Sequence, residues 1–246
     1  KRSLKLQFTL IQENVVYLPT SKRDTFLKTL GISYPAIFSA STINADGAKL
    51  ALFARLNRHG LLEEIEKAQS YLTSTTQSQS FSVRRIKGII NLLSNKKIEI
   101  DKETRNNLID EKERLEIDLY KQLPRLRQQI IEASDIAKVM PENSILIEFQ
   151  RYNPFKFEKP IDALEITNWA PARYQALILK SNGKIEAIDL GLAEPIENKI
   201  QEALSASSRL PEFKSQFDIA QQLWDEVSEL IVKPLEDAIG DSDTLF

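Results

Sequence analysis

The only histidine in the chain is His59, and there is no cysteine. A thiolate nucleophile, a disulfide and an ordinary structural zinc set are therefore ruled out for these residues. General acid–base work by His59 needs a partner within reach. His59 lies in Asn57-Arg58-His59-Gly60, which reads as a helix end, where an imidazole is solvated or favourable to the helix dipole. Two carboxylate clusters are of the kind that holds a hard cation, Asp110-Glu111-Glu113-Glu116 and Asp241-Asp243. The first alternates with Lys112 and Arg114 and reads as a salt-bridged, solvated helix face. The second sits in a turn before a strand and lacks a loop of calcium-binding length. The 7 glycines are dispersed, with neither a phosphate-loop nor a dinucleotide-binding spacing. Paired carboxylates for glycoside hydrolysis leave no signature in a sequence, and nothing favours them. No metal and no cofactor is expected.

The most distinctive string is Trp169-Ala170-Pro171-Ala172-Arg173-Tyr174. A tryptophan ahead of a proline turn that enters a strand commonly anchors the loop on the core. The competing reading sets Arg173 and Tyr174 against a ligand, with Arg151 and Tyr152, which close an earlier strand, beside them. Trp169, Arg173, Tyr174, Arg151 and Tyr152 are thus the structural or groove-contact candidates.

The elements that must position these residues follow from periodicity. Residues 1–72 read as helical. Phe26, Leu27 and Leu30 cluster behind the capping candidates Thr20, Ser21 and Asp24, and Gly31 and Pro35 stop them. Leu52, Leu56, Leu62, Ile65 and Leu72 keep near-helical spacing, with a break expected at Gly60. The Ser/Thr/Gln tract 73–80 reads as a flexible connection. Leu108, Leu115, Leu119, Leu123, Leu126 and Ile130 give the clearest helical stripe, with a kink expected at Pro124. At Pro141 the texture changes. Residues 144–152, 172–180 and 184–190 read as three strands of an antiparallel meander, a loop over 153–168 joins the first two, and Ser181-Asn182-Gly183 marks the hairpin. Helices over 194–204 and 217–230 follow, and Asp243–Phe246 reads as a fourth strand. The fold class is α+β. Its regions are 1–72, the end of a helical repeat array; 73–140, a linker and helical hairpin; and 141–246, the front of a larger α/β domain.

Of the 246 residues, 42% are hydrophobic and 28% charged, a globular composition. The net charge of -2 gives no electrostatic footprint for nucleic acid. No apolar run approaches the ~18 residues of a membrane span. With no signal-peptide core after Lys1, the cytoplasm is the expected location, although the absence of cysteine does not discriminate on redox grounds. A start without Met and an end on Leu245 and Phe246 suggest a piece cut from a larger protein.

Four ordered strings carry a family resemblance. They are Leu119-Tyr120-Lys121-Gln122-Leu123-Pro124, Ile147 to Phe155, Trp169 to Tyr174, and Ile188-Asp189-Leu190-Gly191. Together they resemble the CHAT family, caspase-like domains associated with tetratricopeptide repeats and abundant in filamentous bacteria, cyanobacteria above all. Leu50–Leu62 is similar to the linker that joins the repeats to that domain, and Trp224 to Phe246 to the segment ahead of its first core strand. The resemblance implies a separase- and caspase-like cysteine peptidase fold with a His-Cys dyad. No family catalytic residue falls on any position here, and His59 lies far upstream of the family histidine. The chain alone is then non-catalytic, scaffolding the substrate groove and relaying signals from the repeats. Its implied partners are the remainder of the CHAT domain and a protein bound through the helical region, with no nucleic acid and no membrane. The other reading is a protein–protein interaction scaffold or pseudoenzyme module.

Overall fold

The computed structural model describes residues 1–30, 33–75, 81–95, 98–121, 123, 130–156, 168–208 and 214–246. Along the chain run α1 (Arg2–Asn14), a 3-10 turn (Val15–Tyr17), α2 (Thr20–Thr29), α3 (Ser33–Ala40), α4 (Ala45–Thr75), α5 (Phe81–Ser94), α6 (Lys102–Tyr120) and α7 (Ala133–Val139). The strands β1 (Ser144–Tyr152), β2 (Arg173–Lys180) and β3 (Ile185–Leu192) follow. Then come α8 (Ala193–Ser207), α9 (Lys214–Ile231), a further 3-10 turn (Lys233–Leu235), α10 (Glu236–Ile239) and β4 (Thr244–Leu245). The class is α+β. The chain forms two compact units, Lys1–Ile32 with Asn57–Ile130, and Ser33–Leu56 with Ile131–Phe246. These units do not follow the boundaries 72/73 and 140/141, because 33–56 and 131–140 belong with the sheet. Pro124, Gly31, Leu126, 76–80 of the polar tract and 157–167 of the expected loop lie outside the described residues.

The first unit is helical. In α1, Leu4, Gln7, Phe8 and Ile11 are buried at helical spacing. In α5, Val83, Ile86 and Ile89 recur every third residue, and this helix packs against α6. Asp101 caps α6 by accepting the Thr104 N–H at 2.9 Å. The α6 stripe differs from the expected leucine seam. Leu108 and Leu115 are only half-buried, while Glu113 and Glu116 are buried beside Leu119 and Tyr120. Both acids are paired, Glu113 with Lys22 at 2.9 Å and with the Ser21 hydroxyl at 2.7 Å, and Glu116 through Oε1 with Lys112 at 2.8 Å, while Glu116 Oε2 is buried without a hydrogen-bond partner among the described residues. Glu111 takes Arg85 in a two-point contact, both distances 2.7 Å. The solvated face read from the sequence is therefore an ion-paired one with a buried row. Ser21 serves that row instead of capping α2, which begins after Pro19 with no side-chain cap.

The expected break at Gly60 is absent, since α4 runs unbroken through it. A glycine penalty of ~1 kcal/mol is outweighed by the burial of Leu61 and Ile65 on the same turns, at about 1.5–3 kcal/mol per large side chain. His59 consequently lies inside a helix.

The second unit is built on a four-stranded sheet of order β3-β2-β1-β4. The β1/β2 and β2/β3 pairs are antiparallel, and β4 runs parallel to β1. Gly183, at φ +84°, makes the tight turn of the β2–β3 hairpin, and the Asn182 side chain accepts the Lys184 N–H at 2.9 Å. One sheet face carries Ile147, Ala176, Ile178, Ile188 and Leu190 against Leu235, Ala238 and Ile239. Period-two alternation turns Glu148 and Gln175 to the other face. There Glu148 meets Arg55 of α4 at 3.0 Å, and Gln175 binds the Ser41 hydroxyl at the end of α3.

Candidate functional site

At the end of β1 the chain turns through Asn153 and Pro154, and Phe155 makes an antiparallel bridge with Trp169. The Lys156 N–H donates to Asn168 O and the Ala170 N–H to Pro154 O, both at 2.8 Å. The Asn153 amide ties across to Ala170 O at 3.0 Å. Ser39 of α3 accepts the Phe155 N–H at 2.7 Å, which fixes this corner to the helix. Trp169 stands edge-on to Phe155 with ring centroids 4.9 Å apart. In α3, Tyr34 stands edge-on to Phe38 at 5.2 Å, as an i, i+4 pair allows. Between these aromatic pairs lies a cleft of about 400 Å³, lined by Tyr34, Pro35, Phe38, Gln150, Arg151, Tyr152, Asn153 and Trp169.

The charges around the cleft are balanced in pairs. Arg151 contacts Glu197 of α8 at 2.7 Å, and the Tyr174 hydroxyl donates to the same carboxylate at 3.2 Å. The hydrogen bond from Arg151 holds the Glu197 carboxyl below its ordinary range. Arg173 makes a two-point contact with Asp189 across the β2–β3 register shift, its Nε at 3.0 Å. Burial raises the Tyr152 phenol, and nearby Asp189 adds to this. Burial also raises Tyr174, with the Glu197 hydrogen bond second. Two amide atoms, Gln150 Oε1 and Asn168 Nδ2, are buried without a hydrogen-bond partner among the described residues.

Of the residues singled out by sequence, Arg151, Tyr152 and Trp169 line the cleft. Arg173 and Tyr174 stand on β2, engaged by Asp189 and Glu197, and do not line it. Trp169 packs edge-on to Phe155 and also forms a wall of the cleft. Tyr34, Phe38 and Gln150 were missed. The i, i+4 aromatic spacing of the first two is the one local signal, and it gives no direction. The cleft offers ring faces, the neutral amides of Gln150 and Asn153, and the Arg151 guanidinium paired with Glu197. Among the described residues its lining holds no thiol, imidazole or carboxylate.

A second, apolar groove of about 390 Å³ lies between α7 and the β4 end of the sheet, lined by Leu56, Val139, Met140, Leu146 and Phe246 among others. His59 is exposed and contacts Glu63 at 3.1 Å, one turn along the same helix. Asp241 and Asp243 are exposed. Among the described residues no group of three or more His, Cys, Asp or Glu could hold a metal ion, and no helix is long and apolar enough to cross a membrane. No family model matches the chain, and no curated protein and no solved structure matches it.

Proposed function

We propose that the chain is the non-catalytic N-terminal part of a CHAT-type, caspase- and separase-like cysteine peptidase, working in the cytoplasm. In this role the sheet unit scaffolds a substrate groove, and the helical residues form the end of a repeat array that holds a protein partner. The observation that carries the reading is the mixed sheet. An antiparallel meander β1-β2-β3 is followed by α8 and α9 and then by β4, which runs parallel to β1, and this mixed α+β sheet supports the resemblance to the front of a caspase-like domain. Chemistry in the parent would be thiolate attack on a peptide carbonyl with a histidine as base, from residues outside these 246.

The test is activity. The parent protein should cleave peptides and lose this on thiol alkylation, while residues 1–246 alone should cleave nothing. Cleavage by the purified 246-residue chain would overturn the proposal, as would a parent whose activity survives alkylation. The scaffold-only reading is supported by the aromatic cleft, a shape that suits a side chain of a protein partner.

A further inference from the structure

Gly88 sits in the middle of α5, where glycine costs ~1 kcal/mol against alanine. Nothing lies within 4 Å of a Cβ added to it, so the glycine makes no room for a neighbour within the chain. At about 100° per residue, Phe81, Gly88 and Leu92 fall on one outward stripe. Phe81 is 72% exposed and Leu92 36%, while the buried residues Val83, Ile86 and Ile89 lie on a separate side of the helix. One flank of the stripe is cationic. Arg84 and Lys87 are exposed there and make no ion pair with a described residue, and residues 81–95 contain no Asp or Glu. On the other flank, Arg85 is already matched by Glu111. Gly60 of α4 is just as open, but no large exposed apolar side chain stands within a turn of it among the described residues.

An apolar stripe with a glycine at its centre and uncompensated cations along one flank defines its partner. We propose that the outward face of α5 docks an acidic amphipathic helix of a partner protein, whose apolar ridge lies against Phe81 and Leu92 across Gly88 and whose carboxylates meet Arg84 and Lys87. The missing Cβ at Gly88 lets the two helix axes come close at the crossing point. From Phe81 to Leu92 the stripe runs ~16 Å, about three helical turns, which suits a helix and exceeds the reach of a single side chain. The unpaired cations set the sign of the partner, because carboxylates opposite them are attracted and further cations repelled. A nucleic acid fits poorly, since two free cations fall short of the ~6–10 phosphate contacts of a strongly salt-dependent binder. A second copy docked through the same face also fits poorly, since a two-fold pairing would set Arg84 and Lys87 against themselves. The proposal rests on the preceding reading in taking the helical residues as the part that holds a protein partner.

The test uses the full 246-residue chain and a dye-labelled, capped probe peptide of three Leu-Glu-Ala-Leu-Glu-Ala-Gln repeats, a leucine ridge with carboxylates along one side. Fluorescence anisotropy should show saturable binding. A probe with Lys in place of Glu should bind weaker by roughly tenfold or more. The acidic probe should weaken by roughly as much on Gly88→Gln, whose side chain blocks the ridge, and on the double variant Arg84→Gln with Lys87→Gln. Gly88→Gln fills open space and raises helix propensity, so its circular dichroism and urea midpoint should match or exceed those of the parent sequence; where it does not fold, the double variant decides. No saturation by the acidic probe, equal binding of the two probes, or undiminished binding to a folded Gly88→Gln chain or to the double variant overturns the proposal. So does a duplex DNA that binds more tightly than the probe and is lost in the double variant, or self-association that Gly88→Gln abolishes, since the face would then belong to a nucleic acid or to a second copy. The readout involves no peptide cleavage, so this proposal and the preceding one fail separately.

Discussion

Replacing Gly47 by alanine should destabilise the sheet unit, although the same change in a helix is ordinarily favourable. Gly47 lies in the first turn of α4, where its N–H donates to Asn44 Oδ1 at 2.8 Å. An added Cβ would stand 2.0 Å from Ala40 O, 2.7 Å from Ala40 C and 3.3 Å from Ser41 N. All three are backbone atoms, so no side chain can swing aside and the α3–α4 corner has to open. That corner is held from both directions. Ser41 is buried and bonded to Gln175 and to Phe38 O, and Ala48, Ala51 and Leu52 are buried just beyond. Helix propensity favours alanine by ~1 kcal/mol. Overpacking costs about 1–3 kcal/mol, and a strained buried hydrogen bond at Ser41 a further ~1–3 kcal/mol. The net expectation is a loss of roughly 1–5 kcal/mol. Gly60 and Gly88 are the controls. Both are helical with nothing within 4 Å of the added carbon, so alanine there should stabilise the helical unit by up to ~1 kcal/mol. Urea unfolding read by tryptophan emission reports the sheet unit, because Trp169 and Trp224 both belong to it. Far-UV circular dichroism reports the helices. A Gly47→Ala chain as stable as the parent sequence would refute the reasoning.

Three further outcomes are expected. Glu113→Gln should destabilise the helical unit near neutral pH. The Glu113 carboxyl is held below its ordinary range, by its hydrogen bond to Lys22 first and with the Ser21 hydroxyl also contributing. A depressed carboxyl stabilises above its unfolded pKa and loses this as pH falls through the folded one. The gap between the two chains should therefore close on acidification, and a gap constant with pH would contradict the pairing. Ile178→Ala, fully buried on the face against Leu235 and Ala238, should lower sheet-unit stability by about 2–5 kcal/mol in the same urea assay. In a spectrophotometric titration the Tyr120 phenol, pushed up to about 12 by burial first and by Glu116 second, should ionise late. Tyr120→Phe should remove that late step, and loss of an early step instead would place Tyr120 in water.

The sheet was largely legible because its signals are local. The run 144–152 alternates with β-branched and aromatic residues and forms β1 over those same positions, while Asn182-Gly183 fixes the hairpin. Asp243–Phe246 was also readable as a strand, but its parallel pairing with β1 was not, since partner choice lies outside a local window. The same limit explains the compact units. Ser41 and Gln175 are 134 positions apart, and no periodicity in residues 33–56 reveals that they pack on a sheet begun at 144. Buried Glu113 and Glu116 look like surface acids until Lys22, Ser21 and Lys112 are brought to them. Within the site, Arg151, Tyr152 and Trp169 stood out as strand-end and turn residues of unusual type. Tyr34 and Phe38 offered only an i, i+4 aromatic spacing, and Gln150 carried no signal.

The most direct test of the central proposal is the coding sequence that follows the codon for Phe246 in the parent gene. The account predicts a continuing strand, then a histidine, then a cysteine at caspase-like positions. A stop codon there, or a continuation carrying neither residue, would contradict the peptidase reading and leave the chain as an interaction scaffold.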